Sequence, residues 1–165
     1  MKIKLPDQYK HPLFYSGDIN DIELNDDDLF SPLYAADILS LNNQHKPWEE
    51  MEKWIPLILE EWQTLSEEMK PLFEGNADQT YEPMIKGISL FFTLLYWTNE
   101  KHVSAVSWET DVKDFDVSIM NAFERIPFIM KRPAVYFSYI QLDEMFKELH
   151  KTAAKHDAIK KRKRG

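Results

Sequence analysis

The chain has 165 residues, 44% hydrophobic and 13% aromatic, which is enough for one sizeable core and short for two independent ones. It contains no cysteine, which excludes disulfides, thiolate metal sites and a cysteine nucleophile. The net charge of -8 is unevenly spread: seven Lys/Arg and one Asp fall between Lys151 and Gly165, leaving 13 basic and 27 acidic residues before them.

Taken in order, the N-terminus MKIKLPDQYKHPLFY lacks the apolar stretch of about 7–15 residues that a secretory signal needs, so a cytoplasmic location is expected. Residues 1–30 show no sustained period and predict an irregular lead-in. Within them, Asp18 to Leu29 has the length of a calcium loop. It places Ile22 at the fifth position, Glu23 where glycine is required and Leu29 where a bidentate glutamate belongs. A solvated acidic loop, or a helix cap using Asp26, Asp27 or Asp28, fits better.

Helix starts marked by proline recur at Ser31-Pro32, Lys46-Pro47, Glu82-Pro83 and Arg132-Pro133. After Pro47, the residues Trp48, Met51, Ile55, Ile58, Trp62, Leu65 and Met69 form a stripe at alternating spacings of three and four. Pro56 removes a backbone donor inside that stripe and predicts a kink or a break near Trp54. The segment Glu74 to Asp78 reads as a loop. The uncharged run Gly87 to Asn99, which includes GISLFFTLLYW, would reach about 20 Å as helix against a hydrocarbon thickness of about 30 Å, so it cannot span a bilayer. Its polar residues, with the flanking charges, fall at Lys86, Ser89, Thr93, Tyr96 and Glu100, along one narrow seam. A helix apolar around the rest of its circumference belongs in the middle of a bundle. Phe115, Ile119, Ala122 and Ile126 suggest another helix, ending at Pro127. Val135, Tyr139, Leu142, Phe146, Leu149 and Ala153 mark the last. The expected fold is an all-α, single-domain bundle of about five helices around a central apolar helix at residues 83–99. The bundle occupies 1–150, with an irregular 1–30, and a basic C-terminal extension follows at 151–165.

None of the five histidines has glutamate three positions earlier, as a di-iron bundle requires, and no His-Glu-x-x-His motif occurs. Each lone histidine reads as a surface or capping residue. The four glycines are isolated, which argues against a phosphate-binding loop. No catalytic, cofactor-binding or metal-binding residue is assigned, and no cofactor is expected. The seam of Ser89, Thr93 and Tyr96 could border a pocket, or Ser89 and Thr93 could bond carbonyls of their own helix. The strongest interaction signal is the tail: Lys151, Lys155, Lys160, Lys161, Arg162, Lys163 and Arg164 could meet nucleic acid or an acidic protein. Membrane attachment through the tail alone would be weak and abolished by salt.

HPLFY near the start, LLYWTNEKHV at 94–103 and RPAVYFSYIQLDEMFKEL at 132–149 resemble the bacterial YpoC-like family. The resemblance implies a small cytoplasmic protein and transfers no activity, cofactor or catalytic residue. In the last motif, Arg132, Tyr136, Ser138 and Gln141 could form a polar recognition cluster or a helix start tied to the preceding loop. The leading expectation is a non-enzymatic interaction module that contacts protein or nucleic acid through its basic C-terminus. The alternative is an enzyme with a pocket along the polar seam.

Overall fold

A computed structural model describes residues 1–164, with the Arg164 side chain outside the described part. Among the described residues six α-helices carry the fold: α1 (Ala35–Asn42), α2 (Met51–Met69), α3 (Tyr81–Thr98), α4 (Trp108–Lys113), α5 (Ala122–Lys131) and α6 (Tyr136–Arg164). Two three-residue strands, β1 (Lys2–Lys4) and β2 (Asp21–Glu23), pair antiparallel with Ile3 opposite Ile22. A small ladder thus closes the lead-in on itself. Three residues per strand are too few for alternation to show in sequence.

α3 is the axis. Every residue from Gly87 to Thr98 is buried, and α2 and α6 pack along it. The α2 stripe is buried at Met51, Ile55, Ile58, Trp62, Leu65 and Met69, and Trp54 beside it is buried as well. A close approach occurs at Gly87, where an added Cβ would overlap the Trp62 indole and meet Leu142 at 3.1 Å. The indole lies stacked on Phe146 at 4.9 Å, and its Nε1–H donates to Asp143 Oδ1 at 3.0 Å. One ring therefore couples α2, α3 and α6.

The break expected as one outcome near Trp54 and the helix end expected at Pro127 do not occur. α2 runs unbroken through Pro56, and α5 continues past Pro127 to Lys131. In each case the proline is the sixth residue of its helix and is exposed, as is the residue four before it, Glu52 or Phe123. The carbonyl that loses its partner thus belongs to the wet side of the helix, where water can serve it. The stretch from Phe115 to Asn121 is not helical; Asn121 adopts a left-handed conformation, which asparagine tolerates, and α5 starts after it.

α6 continues without interruption past Leu149 to Arg164. Ala153 is buried in the core, so the residues after Leu149 still pack on the bundle before the helix runs outward.

The Gly87 contact yields the first prediction. Gly87→Ala raises helix propensity by up to about 1 kcal/mol, yet it drives a methyl into a rigid indole, an overpacking cost of about 1–3 kcal/mol. A lower urea midpoint is expected. Trp62→Ala should cost about 3–5 kcal/mol in the same measurement.

Candidate functional site

All members of the α3 seam have partners. Ser89 Oγ donates to the Lys86 carbonyl at 2.6 Å, and Thr93 Oγ1 to the Ser89 carbonyl at 2.8 Å. The Tyr96 hydroxyl lies 2.6 Å from Asp111 Oδ2 and 2.9 Å from the Ser104 carbonyl. Burial first, then the Asp111 carboxylate, pushes the Tyr96 hydroxyl well above its ordinary range, so it stays a donor. At the two ends, Lys86 pairs with Glu61 at 3.0 Å and Glu100 pairs with Lys160. Beside Ser89 and Thr93 the free volume is about 10 Å³, the scale of one water and far below a substrate.

The most concentrated polar chemistry lies elsewhere, at Asp37 of α1. Its carboxylate is fully buried and each oxygen faces two donors. Oδ2 accepts from the Tyr9 hydroxyl at 2.6 Å and the Val103 N–H at 2.8 Å. Oδ1 accepts from Trp97 Nε1–H at 2.7 Å and lies 2.8 Å from His102 Nδ1, which therefore serves as the N–H. Burial and the neighbouring Asp37 charge push the Tyr9 hydroxyl far up, which keeps its proton available for this bond. The His102 ring meets Trp48 edge-on at 4.9 Å. An aspartate orienting a histidine through Nδ1 is the arrangement that prepares a general base. Here the same carboxylate also fastens Tyr9, Trp97 and the Val103 backbone, so its bonds join the lead-in, α1, the end of α3 and the loop that follows.

Sequence reasoning passed over both residues. His102 was expected at the surface or in a cap, and it instead joins a buried network. The available signal was a carboxylate inside the apolar turn YAADIL. Its partner lies 65 positions away. His11 does act locally, its Nδ1 accepting from the Leu13 N–H at 3.1 Å.

The predicted basic residues fall into two groups. Lys160 faces the bundle and pairs with Glu100, while Lys161 lies 3.2 Å from Asp157 and 3.8 Å from Glu52. Lys151, Lys155 and Arg162, at spacings of four and seven, share the face turned away from Leu149 and Ala153 and are exposed, as is Lys163. Among the described residues none of these four forms an ion pair; the side chain of Arg164 lies outside them. The basic segment is therefore a helical ridge, paired toward its distal end with Glu100 and Glu52 of the body through Lys160 and Lys161. In the motif at 132–149, Ser138 Oγ donates to the Arg132 carbonyl at 2.5 Å, tying the start of α6 to the preceding loop.

The model of the YpoC-like protein family matches residues 52–161, from the first turn of α2 to the distal part of α6. The chain belongs to the YpoC-like family. The uncharacterized protein YpoC of Bacillus subtilis (strain 168) is 33% identical over 117 residues, covering 68% of this chain and 70% of that protein. No solved structure matches the chain. The stretch matched to the YpoC-like family includes α3, His102, α5 and the first cations of the ridge. No helix among the described residues is long and apolar enough to cross a membrane.

Removing the Asp37 carboxylate strands several buried donors. Asp37→Ala should destabilise by about 3–5 kcal/mol in chemical denaturation. The isosteric Asp37→Asn should not restore the loss, because an amide nitrogen cannot accept from two donors.

Proposed function

We propose that the protein is a non-enzymatic interaction module that presents the outward ridge of α6 to an acidic segment of a partner protein. The reading rests on one observation: Lys151, Lys155 and Arg162 line the outward face of one helix without ion-pair partners among the described residues, while Lys160 and Lys161 pair with Glu100 and Glu52 of the body. A helix that is already ordered loses little conformational freedom on binding, which favours recognition by a row of cations. In this reading, the basic extension at 151–165 is the functional part that follows the bundle at 1–150.

A protein partner is favoured over nucleic acid by what surrounds the ridge. Glu144 and Glu148 precede Lys151 on the same side of α6, and the chain before Lys151 carries 27 acidic against 13 basic residues. A duplex laid along α6 would run from cations onto carboxylates, whereas a short acidic peptide need cover only the basic part. Against the alternative of a pocket along the seam stands the closed bonding of Ser89, Thr93 and Tyr96.

Charge reversal is a cleaner probe than truncation, because ending the chain at Leu149 would also remove buried Ala153. Lys151→Glu/Lys155→Glu/Arg162→Glu should weaken binding of a labelled glutamate-rich peptide by about tenfold or more in fluorescence anisotropy, as expected for three exposed pairs of roughly 0.5 kcal/mol each with added repulsion. The native chain should lose affinity steeply as salt rises. Unchanged binding by the triple variant, or tighter binding of duplex DNA than of the peptide by the native chain, overturns the reading.

A further inference from the structure

The outward side of α6 begins well before the ridge, and it begins apolar. Between α5 and α6 runs a groove with about 460 Å³ of free volume, lined by Glu124, Arg125, Phe128, Phe137 and Gln141. Phe137 is 71% exposed and Phe128 42% exposed, one ring on each wall. Two aromatic rings on well-formed helices, open to water, are the kind of feature that marks a contact surface. Arg125 also lines a second stretch of about 560 Å³, with Glu144, Lys147, Glu148 and Lys151. Its guanidinium bridges the walls, Nε–H donating to Gln141 Oε1 at 3.0 Å and one terminal nitrogen to Glu148 Oε2 at 2.8 Å. Although burial acts to raise it, the Glu148 carboxyl is held below the usual carboxylate range by Arg125 and the Met120 N–H, so this crosspiece stays charged at neutral pH.

Lys151 ends the groove and opens the ridge. Along one side of one helix the surface therefore passes from aromatic, through mixed charge, to basic. Phe137 and Lys151 are fourteen residues apart, or about 21 Å of helix.

We infer that the α5/α6 groove seats an amphipathic helix of the partner protein, with apolar side chains between Phe128 and Phe137 and carboxylates reaching Lys151 and Lys155. This deepens the preceding reading and rests on it. A channel between two packed helices is shaped for a third helix, which offers apolar anchors at i, i+3 and i+4. Charge complementarity sets the occupant's polarity: apolar residues at one end, acids about four turns away. A second copy of this chain fits poorly. A two-fold pairing of α6 centred on Glu144 would set that carboxylate against its own copy and Phe137 against Lys151. Phosphate-bearing strands fit poorly too, because Glu124, Glu144 and Glu148 line the groove.

The test uses the full chain and two labelled synthetic helical peptides. One carries leucines on one face at one end and glutamates at the other; the second has glutamine in place of the leucines. Phe128→Ser/Phe137→Ser should weaken the leucine peptide at least tenfold in anisotropy titrations and leave the glutamine peptide unchanged. The ridge triple variant should weaken both. If the phenylalanine variant binds the leucine peptide as the native chain does, or if the native chain does not distinguish the peptides, the groove assignment fails while the ridge reading stands. If the triple variant alters neither peptide, the ridge reading fails. A native dimer in sedimentation that the phenylalanine variant converts to monomer would make the groove a self-interface and overturn the proposal. Circular dichroism and thermal melts check folding; the single Phe137→Ser, at a mostly exposed ring, serves should the double variant not fold.

Discussion

Burying a helix on all sides obliges the protein to supply an internal partner for every polar group that helix carries, and α3 shows how that obligation organises its neighbours. The hydroxyls of Ser89, Thr93 and Thr98 turn back to carbonyls of their own helix, which settles them without outside help. Tyr96 and Trp97 reach too far for that, and Asn99, which returns one bond to the Leu95 carbonyl, also reaches outward. Tyr96 takes Asp111 of α4, Trp97 takes Asp37 of α1, and the Asn99 side chain exchanges two bonds with the backbone of Val117. The segments flanking the three long helices are thus positioned by hydrogen bonds that α3 cannot do without. An unpaired buried polar group costs more than an ordinary hydrogen bond contributes, so these bonds act as constraints on topology more than as sources of stability.

Asp37 carries this logic furthest. A lone buried carboxylate would be prohibitive, and four donors from three parts of the chain offset the desolvation. The lead-in, which has little regular structure, becomes part of the domain through Tyr9 in this network, while the β1/β2 ladder pairs its residues 2–4 with its residues 21–23. Shape alone would let these segments slide; directional bonds to a single buried anion fix one arrangement. The aspartate–histidine geometry thus has a structural account.

Much of this was legible in the sequence, and the reasons for success and failure are physical. Period and composition exposed the central helix, the α2 stripe and the buried face of α6, because those features repeat within a turn or two. The back-bonding of Ser89 and Thr93 followed from the chemistry of hydroxyls in helices. The two prolines misled because the consequence of a missing donor depends on whether the freed carbonyl faces water, which is a tertiary fact. Asp37 with His102, and Phe128 with Phe137, are pairs made by the fold and carry no local signature. The run of cations was visible, but its division into clamping and outward residues depends on where Glu52 and Glu100 lie.

The unbroken course of α6 fixes angle as well as distance. With about 100° of rotation per residue, the azimuth of Lys151, Lys155 and Arg162 relative to the Phe137 wall is set by the number of residues between them and by nothing else. Inserting or deleting one residue in that interval would leave composition, charge and helical content nearly untouched, yet would swing the cations a quarter-turn or more out of line with the aromatic rings. Chain length there is itself a recognition element.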